Sequence, residues 1–384
     1  ARTLARVGRI LAERLGAPDD ALSAFERAQA AAPDAPEVLA GLVTLYQDAE
    51  RDGDLARVLE RQADAAAPAQ RLSLLHRIGV LRHEKLDDLE GAVRVWEAAL
   101  ALSPLHVPTL LSLDRAYTER ALFPKLAAML LAEASASDDP QRRAAALARI
   151  ADIAEARQAD VEGAIEHHAR ALAILPGYPP SFKALVRLFS SAKRWHELAE
   201  LHVRAADAQK VPEAAQSYLI EAASVFEHGL NDPLQAAQTY RRVLALDPKH
   251  VTALWALQRT TERAGRWAEH VEALEKEAAL SNDPAHVLLL TCRAGQVLDV
   301  ELKDAEAAIE RFRRALELDK AHAGVLASLG RLYHRLGRHE DLLDIYRREL
   351  EHAPGPIEAA ALLYKMGELA ESKAGKEEEA LALY

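Results

Sequence analysis

The sequence predicts an all-α solenoid, and three observations carry that reading. One long unit recurs: Pro68, Pro140, Pro212, Pro284 and Pro356 stand in one evenly spaced row, and Gly79, Ala151, Ala223, Gly295 and Gly367 in another. No insertion or deletion disturbs the register from Pro68 onward, and such self-similarity outranks other signals because it fixes an architecture. Inside each unit the apolar residues fall at helical spacing, as Leu290, Ala294, Gly295 and Leu298 do. Composition agrees: hydrophobic residues make up 50% and aromatics only 5%, so Ala and Leu, both good helix formers, must fill the core.

Each unit divides into two halves, and each half reads as two amphipathic helices joined by a short turn. In the unit from Pro284 to Gly355 the first half continues with Asp304, Ala308, Phe312 and Ala315. The second half carries Leu326, Leu329, Gly330 and Tyr333, then Leu342, Tyr346, Leu350 and Pro354. The prolines suit the first turn of a helix, where a missing N–H removes no bond. Asp88, Asp160, Asp232 and Asp304 suit N-caps, as do Asp139 and Asp283 just before two of the prolines. Gly265 and Gly337 suit the residue after a helix, where φ turns positive. The opening segment follows the same plan: Leu4, Val7, Gly8 and Leu11, then Ala21, Phe25, Ala28 and Pro33, one position out of register.

The second halves resemble the tetratricopeptide repeat, whose pattern is W-x2-L-G-x2-Y, then A-x3-F, then P. Leu326, Leu329, Gly330, Tyr333, Leu342, Tyr346 and Pro354 carry the match, and Leu39, Leu42 and Tyr46 or Leu110, Leu113 and Tyr117 repeat it in part. Ala308, Phe312 and Ala315 match in a first half, as do Ala92, Trp96, Ala99 and Pro104. Thr261 departs from the pattern where Tyr is expected, Lys320 replaces the Pro, and the first halves are longer by about one helical turn. The resemblance covers residues 1–384 as a single array of ten motifs and part of an eleventh. It implies a right-handed superhelix of about 22 helices with a concave binding face. Ala1 falls inside a repeat and Tyr384 inside a helix pattern, so a fragment of a longer repeat protein is expected.

The balance of charge bounds the partners. Net charge is −11, which disfavours nucleic acid, whose phosphates need a basic face. No apolar run reaches the roughly 18 residues of a membrane span. The one cysteine, Cys292, excludes an internal disulfide framework. Arg outnumbers Lys 36 to 12 and Asn occurs only at Asn231 and Asn282, a bias that points to a GC-rich bacterial genome. No localisation signal is legible, and a cytoplasmic location is the default expectation.

Catalytic motifs are missing. There is no G-x4-G-K-[ST] phosphate loop and no G-x-S-x-G elbow. His196-Glu197 opens like a zinc-protease motif, but Glu200 stands where the second His belongs. No catalytic, cofactor or metal residue is therefore assigned, and the chain is read as no enzyme. The family's carboxylate clamp, built from Lys and Asn on inner helices, is not carried over either, because Asn231 and Asn282 fall in turns.

Two charged rows and one aromatic residue remain as partner-binding candidates. Arg115, Arg187, Arg259 and Arg331 stand one unit apart, as do Glu155, Glu227, Asp299 and Glu371. Each acid follows an Arg at one constant offset, Glu155 after Arg115 and Glu371 after Arg331, and the resemblance places both rows on the concave face. They are either a ladder of internal ion pairs or a striped groove that grips carboxylates of a partner. Trp255 breaks its row, where Leu111, Lys183 and Ala327 stand, and is a candidate contact anchor. A second aromatic row, Phe123, Trp195, Trp267 and His339, reads as turn residues that pack one motif on the next. The function the resemblance implies is a scaffold or adaptor that holds a partner protein or peptide, with the solenoid ends as candidates for self-association. The alternative is a sensing or substrate-docking arm of an enzyme whose catalytic domain lies elsewhere. A helical-repeat RNA reader is disfavoured by the acidic balance.

Overall fold

The computed structural model describes residues 1–353, 355–372 and 377–384. Pro354, the last residue of the tetratricopeptide match, lies outside the described residues. Among them there are 22 α-helices and no strand. They fall into two compact units, residues 1–188 and 189–384. The first holds α1 (Arg2–Glu13), α2 (Pro18–Ala31), α3 (Pro36–Asp48), α4 (Asp52–Ala65), α5 (Pro68–Glu84), α6 (Leu89–Leu102), α7 (Val107–Glu119), α8 (Phe123–Ala136), α9 (Pro140–Gln158) and α10 (Val161–Ile174). Helix α11 (Pro179–Ser191) carries the division between the units. The second holds α12 (Trp195–Asp207), α13 (Pro212–Ser224), α14 (Pro233–Leu246), α15 (Val251–Arg263), α16 (Trp267–Leu280), α17 (Pro284–Val300), α18 (Ala305–Leu318), α19 (Ala323–Leu336), α20 (His339–Glu351), α21 (Pro356–Ser372) and α22 (Glu377–Leu383).

The turns form as their residues dictate. Pro68, Pro140, Pro212, Pro284 and Pro356 each open a helix. Asp88, Asp160, Asp232 and Asp304 each accept a backbone N–H from the first turn that follows, and Asp139 and Asp283 do the same. Each such cap is worth about 1 kcal/mol. Gly337 ends α19 at φ 68°, where a side chain would be strained. The extra turn of the first halves is visible in α5 and α17, with 17 residues each against 13 in α7 and α15.

Successive helices pack as antiparallel pairs, and in each unit the odd helices form one layer and the even helices the other. Helices α1 and α3 touch directly, as do α5 and α7. The small-residue row sets how closely a pair approaches, because an aromatic ring on the following helix answers it: Trp96 for Gly79, Tyr240 for Ala223, Phe312 for Gly295 and Tyr384 for Gly367. A Cβ built on Gly295 would lie 2.8 Å from Phe312 Cε1, and one on Gly367 would lie 2.8 Å from Tyr384 Cε1. The glycine is therefore a socket for the ring of its partner helix.

A second coupling ties each ring of the Tyr row to the helix before it. Tyr46 donates its hydroxyl to Glu26 at 3.0 Å, Tyr117 donates to Glu97 at 2.8 Å, and Arg313 donates to the Tyr333 hydroxyl at 2.8 Å. Where Ala169 takes the place of the polar partner, the ring is Phe189, which carries no hydroxyl to satisfy. Desolvation and the neighbouring Glu26 carboxylate push the Tyr46 phenol up to about 12. Thr261 is the departure from this row, and it is matched by another. The fully buried His270 stands where Leu126, Leu198 and Leu342 stand elsewhere, its Nδ1 3.4 Å from Thr261 Oγ1. A threonine on α15, where the row holds a ring, is thus met by a ring on α16, where the row holds Leu.

Candidate functional site

Ion pairs stitch several of the odd helices to the next odd one. Asp114 on α7 takes Arg149 on α9 at 2.6 Å, and Glu155 on α9 takes Arg187 on α11 through two bonds of 2.6 Å. In the second unit, Glu262 on α15 takes Arg293 on α17 at 2.9 Å, and Asp299 on α17 takes Arg335 on α19. An Arg–carboxylate fork of this kind fixes geometry as well as charge.

Glu227 is the most elaborate node. It sits in a π-helical turn, Val225–Gly229, that continues α13, whereas Glu155 lies on the regular α9 and Asp299 on α17. Its side chain is fully buried and meets Arg259 with both oxygens, Nε to Oε1 at 2.7 Å and Nη2 to Oε2 at 2.8 Å. Arg263, one turn further along α15, adds a bond to Oε1 at 3.2 Å and holds Asn231 Oδ1 at 2.7 Å. Burial alone would raise the Glu227 carboxyl, but the Arg259 bonds and charge outweigh it and hold the group below the usual range.

The pairing differs in register from the sequence expectation. Glu155 meets Arg187 and Glu227 meets Arg259, so each acid takes the arginine of the row that follows it, not the one that precedes it. That register joins one odd helix to the next and leaves two members of the Arg row outside the ladder. Arg115 would need its acid at position 83, which is His83, and it makes no ion pair among the described residues. Arg331 would need Asp299, whose shorter side chain goes to Arg335 instead, and among the described residues Arg331 donates only to Ser328 Oγ, at 3.1 Å. Glu371 accepts from the Tyr384 hydroxyl at 3.0 Å.

Trp255 stands on α15 one turn before Arg259, with 53% of its surface exposed. Its indole N–H donates to Glu277 Oε1 at 2.7 Å. Glu277 lies on α16 with almost no exposed surface, and it also receives Gln258 Nε2 at 2.5 Å and faces His286 Nε2 at 2.9 Å. Burial would raise the Glu277 carboxyl, but these bonds, Gln258 foremost, bring it below the ordinary value. The indole is thus pinned at its edge while a ring face stays open. Nothing in the sequence reading linked Trp255 to Glu277. The signal that could have found it is the pairing of rows: Glu133 and Arg142, which form an ion pair at 2.6 Å, stand two repeat units before Glu277 and His286. Near them Val107, Leu111, Met129 and Ala145 line a shallow cavity of about 210 Å³. Leu111 and Ala145 are the counterparts of Trp255 and of the exposed Leu289.

The other aromatic row packs between motifs. Trp195 lies against Gly229 of the next motif, where an added Cβ would come 3.0 Å from its ring, and Arg157 of α9 sits 5.7 Å over the Phe123 ring. Cys292 is half-buried, and burial first, then Asp319, pushes its thiol up, away from a reactive thiolate. Among the described residues no three His, Cys, Asp or Glu side chains gather as metal ligands could, and no helix is long and apolar enough to cross a membrane.

A stack of helix hairpins that repeats along the chain and packs each hairpin on its neighbours is an α-solenoid. Residues 325–358 and residues 292–322 each match a family model described as tetratricopeptide repeat. The stretch that these models match carries tetratricopeptide repeats. Solved structures similar to it include Naa15/Naa10 bound to HypK-THB, at 14% identity over 99% of this chain and 62% of that one, with a TM-score of 0.36. The chain therefore spans under two thirds of that relative's length. MamA is similar at 24% identity over 41% of this chain and 87% of that one, with a TM-score of 0.28. YrrB, titled a TPR protein with an unusual peptide-binding site, is similar at 22% identity over 48% of this chain and 89% of that one, with a TM-score of 0.29. No curated protein matches the chain.

Proposed function

We propose that the chain is a non-catalytic scaffold or adaptor that holds a partner protein or peptide on its odd-helix layer. The observation that carries this reading is Trp255. An indole more than half exposed, yet held at its N–H by a buried carboxylate, is rigid before any partner arrives. A fixed aromatic loses little conformational entropy on binding, which is why such residues dominate contact energies. Val251 and Leu289, on α15 and α17, add exposed apolar surface in the same layer. The alternative, that this layer docks substrates or signals for a catalytic domain elsewhere in a longer polypeptide, uses the same surface and differs only in what is attached to it.

The experiment is site-specific photo-crosslinking. A benzophenone amino acid replaces Leu289 on the odd layer or Arg204 on the even layer, both exposed. Crosslinked polypeptides should appear from position 289 and not from position 204. Equal capture at both positions, or none at either, overturns the proposal.

A further inference from the structure

Two odd helices of the second unit carry more guanidinium than the carboxylates beside them can hold. On α15, Arg259 and Arg263 both turn to Glu227, whose side chain has no exposed surface while theirs stay 52% and 41% exposed. On α19, Arg335 takes Asp299, and Arg331 keeps only the Ser328 hydroxyl among the described residues. Glu227 therefore faces two arginines one helical turn apart, while Asp299 takes Arg335 and leaves Arg331 to a hydroxyl. Between them, Arg293 on α17 pairs one to one with Glu262 on α15. The node one repeat earlier shows no such excess: Glu155 meets the single Arg187, and position 191, the counterpart of Arg263, is Ser191. The excess arises because Arg263 and Arg335 stand one turn beyond the repeated row.

The same face of α15 carries the pinned indole. Trp255, Arg259 and Arg263 are spaced i, i+4 and i+8, so they line one stripe: an aromatic surface first, then two cations. The cations are held in place by Glu227 but not used up by it, since one carboxylate cannot fill the roughly ten N–H donors of two guanidinium groups.

We propose that this stripe, with Arg331 and Arg335 beyond it, binds an acidic segment of a partner protein that carries an aromatic or large apolar side chain beside its carboxylates. The apolar side chain lies on the open face of Trp255, and the carboxylates take the free N–H groups of Arg263 and Arg331. This rests on the scaffold reading and names the partner chemistry for the same layer. The chain as a whole carries −11, but exposed charges beyond about 8–10 Å are screened at physiological salt. The local excess therefore decides the contact, and the remaining field opposes long nucleic acids more than a short peptide.

The test is a random peptide display library selected on the full chain and, in parallel, on Arg263→Ala/Arg331→Ala and on Trp255→Ala. The double variant keeps the Arg259 fork on Glu227, and Arg331→Ala alone serves if the double variant melts early. Peptides selected on the parent chain should be rich in Asp and Glu near an aromatic or Leu. Synthetic copies should bind about tenfold more weakly to either variant and more weakly as salt rises. Selected peptides without acidic enrichment, still dependent on Trp255, would overturn the acidic partner and leave the scaffold standing. Recovery of no peptide would bring down both. Displacement of the peptides by an oligouridylate at equal concentration would overturn the proposal in favour of a phosphate-binding face.

Discussion

Arg259 grips Glu227 with two parallel bonds, 2.7 and 2.8 Å, across the gap between a π-helical turn and the next odd helix. The carboxylate is buried and the guanidinium is not, so the two partners are not equivalent in what their loss would do. Removing Arg259 takes the two-bond fork from a buried charge and leaves it the longer Arg263 bond and the more distant His228. Arg259→Ala is therefore expected to destabilise the chain by about 1–3 kcal/mol, the range for an unsatisfied buried polar group. Arg115→Ala and Arg331→Ala remove no ion pair and should stay within about 0.5 kcal/mol of the parent. Thermal melts of the three variants side by side check this. Equal melting temperatures would mean that the fork contributes nothing.

The socket between Gly295 and Phe312 makes a second expectation. A methyl group at position 295 already crowds the ring at 2.8 Å, and a larger side chain must displace α18. Gly295→Leu should destabilise by about 1–3 kcal/mol through overpacking, despite the higher helix propensity of Leu. Gly330→Ala is the control, because its Cβ would meet only Leu342 and Ile345 side chains at 3.7 and 3.8 Å, ordinary contact distances. A Gly295→Leu chain that melts with the parent would show that the ring moves aside freely.

How much of this was legible in the sequence follows from what repeats. Helix starts, caps and the small-residue row were legible, because Pro140, Asp160 and Gly79 each act within one hairpin and recur in every unit. The charged rows were legible as rows but not as pairs. Their true register depends on which odd helices become neighbours, and Asp299 shows that one missing methylene is enough to change partners from Arg331 to Arg335. The π turn at Glu227 and the Trp255–Glu277 bond occur once each, so periodicity could not announce them.

Buried histidines should make the fold sensitive to mild acid. Burial holds His270, His168 and His202 below the ordinary value of 6.5, and His270 has an Nε2 atom without a partner. A histidine depressed in the folded state binds its proton more readily when unfolded, so stability falls as protons are added. The contribution is complete above about pH 6.5 and is lost as the pH drops below it toward the folded values. The carboxyls of Glu155 and Glu227, also depressed, keep their contribution until the pH falls below about 4.5. Melting temperature should thus fall in two stages between pH 7 and pH 3. A flat profile from pH 7 to pH 5 would contradict the histidine stage, and His270→Leu should weaken that stage.

Thr261 and His270 should behave as one unit under mutation. Elsewhere the row of Thr261 holds a ring, as at Tyr117 and Tyr333, and the row of His270 holds Leu, as at Leu126 and Leu342. Both residues are fully buried and their side chains touch at 3.4 Å, so a change in one alters the space left for the other. Thr261→Tyr alone drives a ring into the imidazole, and His270→Leu alone leaves Leu beside a threonine too small to fill the socket. Each single change should destabilise by about 1–3 kcal/mol. Together they rebuild the pair found at Tyr333 and Leu342. Arg241 stands before position 261 as Arg313 stands before Tyr333, ready to donate to the new hydroxyl. The double variant should therefore be more stable than the sum of the singles by about 1 kcal/mol or more, a coupling of the size that contacting residues show. Urea unfolding of the four chains measures it. Additive values would mean that the two departures from the repeat arose independently and that each site is repacked by other neighbours.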